Sequence, residues 1–110
     1  MSINKNYAVF GLGRYGRAVA KELVDNGAEV IVVDSDSKTV EEFSGDFPIC
    51  KCADVTEQEA IKRLGISNID VVVIAITDSF ETSVMATMLC KEAGVKQVIV
   101  KSSDELHRKN

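Results

Sequence analysis

Gly11, Gly13 and Gly16 stand in the spacing Gly-x-Gly-x-x-Gly, and Asp34 closes the β-branched run that follows. Residues of these types in this order could hold a nucleotide, with phosphates on the glycine turn and a ribose on the carboxylate. Each glycine has its own expected task. Gly11 permits the tight turn, Gly13 lets backbone come close to phosphate, and Gly16 lets the following helix pack closely on the sheet. The start of that helix offers free N–H groups and a partial positive charge to the phosphates. Arg14 falls inside the motif, where a guanidinium could clamp a terminal phosphate with two parallel hydrogen bonds. Leu12 and Tyr15 complete the turn, and Ser35 stands beside Asp34. A carboxylate at Asp34 accepts hydrogen bonds from ribose hydroxyls and repels a 2′-phosphate, which disfavours NADP relative to NAD, ATP or ADP. Arg17 reads as plain surface.

Further along, Asp54-Val55 follows the third apolar segment, where a side chain or the backbone could bond the edge of an adenine. Thr77 and Asp78 follow the fourth, on the phosphate or second-ribose side, with Ala75 near the end of that segment as a further candidate, and Asp78 reads equally well as a helix cap. No catalytic constellation stands out. The single histidine, His107, lies far from the pair Cys50-x-Cys52, so neither a metal centre nor a redox motif is expected. Cys50, Cys52 and Cys90 read as reduced, packed thiols.

The elements that must position these residues can be read from periodicity. Tyr7–Phe10 is a short apolar strand, and the helix from about Arg14 carries Ala18, Val19, Leu23 and Val24 as its expected inner stripe. Gly27 suits a left-handed helix end. Glu29–Asp34 reads as a strand buried on both faces. Next come a short helix over Asp36–Ser44, capped by Asp36 or Ser37, and a strand over Pro48–Lys51. Thr56-x-x-Glu59 resembles a capping box, opening a helix that ends at Gly65. Val71–Ile76 is an all-apolar strand, and Asp78-x-x-Glu81 looks like the cap of a helix running to about Ala93. The inner face of that helix is expected to be Phe80, Val84, Met85, Met88 and Leu89, with the methionines as core filler. Gln97–Lys101 is a fifth strand, and Ser102–Asn110 is polar.

Strands alternating with helices predict an α/β fold: a Rossmann-like, doubly wound parallel sheet with helices on both faces. The full dinucleotide fold has six strands in the order 3-2-1-4-5-6. Five are visible, so the chain is expected to be the N-terminal part of a longer protein, truncated after the fifth strand. Its 110 residues suit one domain. With 45% hydrophobic and 27% charged residues, the composition is that of a soluble globule. A net charge of −4 without a basic block argues against nucleic acid as a partner. The start, Met1–Asn6, is too short and polar for a signal peptide, and the longest apolar run is far below the ~20 residues that span a bilayer. No direct membrane insertion is expected.

The segment Gly11-Leu12-Gly13-Arg14-Tyr15-Gly16-Arg17, with Val33-Asp34 after it, resembles the N-terminal KTN or RCK domain (TrkA-N, KtrA-like) of potassium-transport regulators. Ala53-Asp54-Val55-Thr56, Leu64-Gly65-Ile66, Val72–Asp78 and Val98-Ile99-Val100-Lys101 extend the likeness over essentially the whole chain. The resemblance implies a cytosolic regulatory subunit, peripheral to the inner face of the cell membrane. It would bind ATP/ADP or NAD/NADH and gate a membrane potassium channel or transporter subunit. It also implies homodimers or homo-octameric rings for the full-length protein. Carried over, Gly11–Gly16 would hold phosphates, Asp34 the ribose, Asp54-Val55 the adenine, and Arg14 a terminal phosphate, even from a neighbouring subunit. Lys101, after the fifth strand, would be a further nucleotide-site residue. A nucleotide-binding domain excised from an NAD-dependent oxidoreductase accounts equally well for the fingerprint and Asp34, but gives no role to Arg14. A methyltransferase using S-adenosylmethionine shares the glycine loop but needs a longer sheet.

Overall fold

In the computed structural model of the chain, residues 4–101 are described. The polar segment from Ser102 onward, with His107, lies outside them, as do the first three residues. Five parallel strands form one sheet: β1 (Asn6–Phe10), β2 (Glu29–Asp34), β3 (Ile49–Cys52), β4 (Val71–Ile74) and β5 (Gln97–Val100). Their order is β3-β2-β1-β4-β5, the first five positions of the expected doubly wound sheet. Four helices connect them: α1 (Arg14–Asp25), α2 (Ser37–Phe43), α3 (Gln58–Arg63) and α4 (Phe80–Glu92).

Strand alternation divides the core in two. Tyr7 and Val9 of β1 face α1, together with Leu12, Ala20, Leu23 and Phe47. Ala8 and Phe10 face the opposite way, with Ile61 of α3 and Ala86 and Cys90 of α4. A strand buried on both faces needs apolar residues at successive positions, which is why β1 and β4 read as unbroken apolar runs. The register aligns Phe10 with Val33 on one side and with Ile74 on the other, so the C-terminal ends of β1, β2 and β4 finish together. Among the described residues, no helix is long and apolar enough to cross a membrane.

Several local expectations are corrected. On α1 the buried residues are Gly16, Ala20 and Leu23; Val19 and Val24 pack beside them, but Ala18 is exposed. Pro48 precedes β3, and β4 stops at Ile74 rather than Ile76. The capping box at Thr56 does not form. Thr56 instead donates both its N–H and its hydroxyl to the Asp54 carboxylate, and α3 begins at Gln58. Ser79, not Asp78, caps α4, its hydroxyl oxygen accepting the Thr82 N–H at 3.2 Å.

The largest correction concerns the inner face of α4. Phe80 is 71% exposed, and Val84, Met85 and Met88 are exposed with it. The sheet is met instead by Ser83, Ala86 and Cys90. The methionines are therefore surface, not core filler. Small side chains let the helix lie close over β4, and the bulky stripe is turned outward.

Candidate functional site

The glycine turn forms where β1 and β4 separate. Each strand sends its chain to the opposite face of the sheet, leaving a crevice at their carboxyl ends. The turn is tied to its neighbours by backbone: the Gly11 N–H donates to the Val33 carbonyl at 2.8 Å, and the Ala75 N–H to the Phe10 carbonyl at 2.7 Å. Gly11 has φ +105°, and a Cβ there would stand 2.5 Å from the Ala75 carbonyl oxygen. A Cβ on Gly16 would collide with the Gly11 carbonyl oxygen and lie 3.3 Å from the Ala75 Cβ. Helix α1 is thus seated on the turn itself as well as on the sheet. At Gly13 an added Cβ would meet nothing within 4 Å. Gly13 also caps α1 without a side-chain hydrogen bond, and the first turn holds no acid. Both features leave the helix end open to an anion.

A cleft of about 800 Å³ opens over this turn. Of the residues expected at the site, Gly11, Leu12, Gly13, Asp34, Ser35, Asp54, Val55, Ala75 and Thr77 line it, and Asp78 does so too. The Asp34 carboxylate is held inward. One oxygen accepts the Leu12 N–H at 2.8 Å and the other the Asp36 N–H at 2.9 Å. Asp36 in turn caps α2 through Lys38 N–H and the Thr39 hydroxyl. Asp54 is pinned by Thr56, whose hydroxyl donates to it at 2.6 Å and whose N–H donates at 2.9 Å. Those two bonds hold the Asp54 carboxyl below the usual carboxylate range.

Gly16, Arg14, Tyr15 and Lys101 are not among the cleft's lining residues. Gly16 is buried beneath the turn, and Arg14 is exposed. Tyr15 and Lys101 meet each other, the Lys101 ammonium standing 5.3 Å from the centre of the Tyr15 ring. That contact joins the start of α1 to the end of β5.

Arg17, read from the sequence as plain surface, does line the cleft and is half-buried. Its Nη1 donates to the Leu12 carbonyl at 2.8 Å, and its guanidinium lies 4.2 Å from the centre of the Phe43 ring. Thr39, Glu42 and Phe43 of α2 form the adjoining wall. A hint existed in the sequence: Arg17 stands one turn along α1 from the second glycine, close enough to reach back. Its partner Phe43 could not be inferred without knowing that α1 and α2 cover the same face of the sheet. Among the described lining residues the carboxylates are Asp34, Asp36, Glu42, Asp54 and Asp78, and Arg17 is the only cation. No group of three or more His, Cys, Asp or Glu residues able to hold a metal occurs among the described residues.

The chain matches the family model of the TrkA-N domain over residues 7–110. It is 43% identical over 101 residues to Ktr system potassium uptake protein A of Vibrio alginolyticus, covering 92% of this chain and 46% of that protein. It is 35% identical over 107 residues to Ktr system potassium uptake protein C of Bacillus subtilis (strain 168), covering 97% of this chain and 48% of that one. The chain therefore spans about half the length of these curated relatives. Among solved structures, the NAD(P)-binding domain of an exopolyphosphatase-related protein from Archaeoglobus fulgidus superposes with a TM-score of 0.72 at 19% identity, covering 96% of this chain and 93% of that one. The TrkA-N domain of the inner membrane protein ybaL from Escherichia coli superposes with a TM-score of 0.66 at 14% identity, again covering 96% and 93%. At such identities these two bear on the fold alone. The family match and the identities to the two Ktr proteins carry the assignment: the chain belongs to the TrkA-N domain family.

Proposed function

We propose that this domain binds an adenine nucleotide, ATP/ADP or NAD/NADH, as a regulatory ligand, and that it helps to gate a membrane potassium channel or transporter. In this reading it is cytosolic, catalyses no reaction, and reaches the membrane only through its partner. The observation that carries the proposal is the convergence of the Asp34 carboxylate and the open start of α1 on one cleft at the β1/β4 switch point. An acceptor pair for ribose hydroxyls then stands beside a donor cluster for phosphates. The pinned, ionised Asp54 suits an adenine amino group, because it offers an acceptor and no donor. Kinship with the Ktr proteins supports potassium transport as the process regulated.

Regulation would work by population shift. A nucleotide that fits one arrangement of subunits better than another biases the assembly by that difference in affinity and no more. Arg14, exposed at the start of α1, is available to a phosphate on its own domain or on a neighbour. The exposed stripe Phe80, Val84, Met85 and Met88 supports association with a second copy, as a homodimer or a homo-octameric ring of the full-length protein.

Calorimetric titration with ATP, ADP, NAD and NADH tests the ligand. Micromolar binding of adenine nucleotides without turnover is expected, whereas turnover of a substrate with NADH would favour an oxidoreductase. In the full-length protein, Arg14→Ala is expected to weaken ATP more than ADP or NAD. Equal losses for all three would count against Arg14 as a reader of the terminal phosphate.

A further inference from the structure

Arg17 makes two contacts that together fix a single peptide group of the glycine turn. Its Nη1 holds the Leu12 carbonyl at 2.8 Å, while the guanidinium is stacked 4.2 Å from the centre of the Phe43 ring. The peptide between Leu12 and Gly13 is trans, like every other among the described residues. In a trans peptide the C=O and the N–H point in opposite directions. Holding the Leu12 oxygen against α1 therefore aims the Gly13 N–H away from Arg17, and a Cβ built on Gly13 would meet nothing within 4 Å, so the backbone of this glycine is open to a ligand. Glycine tolerates most backbone angles, so without a restraint this peptide could reverse. The reversed peptide would present a carbonyl oxygen to incoming phosphates, an acceptor facing an anion.

We propose that Arg17 is a positioning residue that latches the Leu12–Gly13 peptide in its anion-binding orientation, with Phe43 of α2 holding the latch. The proposal rests on the nucleotide reading above and deepens it. The device selects for the phosphate of a ligand rather than for its nucleoside, and it makes the turn depend on the placement of α2. The stacking contact keeps the guanidinium from swinging into solvent, since a cation over an aromatic face is held electrostatically. Leu12 is then bracketed from both sides: its N–H is taken by Asp34 and its carbonyl by Arg17.

The test is calorimetry with ADP and with adenosine, on the wild-type chain and on the variants Arg17→Ala and Phe43→Leu. Loss of one charge-assisted hydrogen bond that orders the turn is expected to weaken ADP about tenfold in Arg17→Ala, with adenosine changed less than about twofold. Phe43→Leu keeps the charge of Arg17 and removes the ring beneath it. It is expected to weaken ADP about threefold, again sparing adenosine. Equal weakening of both ligands in Arg17→Ala, or no weakening at all, overturns the latch. So does a selective loss in Arg17→Ala with Phe43→Leu unchanged, because the charge alone would then be acting. If Arg17→Ala fails to fold, the ADP-to-adenosine ratio in Phe43→Leu decides. A wild-type chain that binds neither ligand would sink the nucleotide reading instead.

Discussion

The Asp34 carboxylate, at the end of β2, accepts the N–H of Leu12, 22 residues earlier in the chain, at 2.8 Å. One side chain thereby joins the residue expected to read a ribose to the turn expected to hold phosphates. Its second oxygen accepts the Asp36 N–H at 2.9 Å, which ties the same carboxylate to the start of α2.

Asp34→Ala is therefore expected to act twice. Two backbone donors lose a charged acceptor, costing about 1–3 kcal/mol of folding stability by urea denaturation. Affinity for adenosine nucleotides should fall as well. The wild-type chain should prefer ADP to 2′-deoxy-ADP, and the variant should not. A variant that retains the full preference would show that the ribose is read elsewhere.

Gly16 and Gly13 of the motif should differ sharply on substitution. Gly16→Ala drives a Cβ into the Gly11 carbonyl, a backbone atom with no rotamer to yield. It is expected to cost about 3 kcal/mol, seen as a lowered midpoint in chemical denaturation. Gly13→Ala meets open space at φ −72° and should leave stability within about 1 kcal/mol of the parent. Its effect should appear only in weaker binding of phosphorylated ligands. Equal destabilisation by the two variants would contradict the packing described.

The three thiols should label in order of exposure. Cys52 is exposed, Cys50 is half-buried and Cys90 is fully buried. Burial, with help from the nearby Asp34 and Cys52, raises the Cys50 thiol above its ordinary value. Burial alone pushes Cys90 up to about 11. Mass spectrometry of the native chain at pH 8 with iodoacetamide should find Cys52 modified first and Cys90 last. Linkage sets a sign for Cys90. The folded form holds its thiol proton more tightly than the unfolded form, so the stability it contributes is complete below pH 9 and is lost as pH rises from 9 toward 11. The loss amounts to about 2–3 kcal/mol. Cys90→Ala should show a shallower fall over that window than the parent, and an identical slope would refute the assignment.

The outward stripe of α4 should be visible in solution. Replacing Met85 and Met88 together by Glu, at positions 44% and 53% exposed, is expected to leave folding intact. If a second copy covers this stripe, sedimentation should show a lower average mass for the double variant than for the parent. Unchanged mass, with the parent already associated, would place the contact elsewhere.

Much of this domain is determined by local sequence. The apolar runs at Tyr7–Phe10 and Val71–Ile74 require strands covered on both sides, and the glycine spacing requires a turn between strand and helix. Asp34 is recognisable because a carboxylate ending the second strand has a small set of uses. These features depend on neighbours a few residues away, and the structure keeps them. Competition among local partners already blurs the picture at Asp54 and Ser79. Thr56 could have capped α3, but its hydroxyl goes to the Asp54 carboxylate and α3 starts without a side-chain cap; Asp78 could have capped α4, but the Ser79 hydroxyl took that role.

Tertiary structure alone decided the rest. Helix periodicity marks stripes on α4 but does not say which one the sheet accepts. Close approach over β4 favoured Ser83, Ala86 and Cys90, and the larger Phe80, Val84, Met85 and Met88 were turned outward. Arg17 and Phe43 are distant in sequence, and only the placement of α1 and α2 on the same face of the sheet brings cation and ring together. The Tyr15–Lys101 contact likewise exists only because α1 begins beside the end of β5. Spacing along a chain specifies the shape of each element. Which faces meet is settled by the packing of all the elements at once.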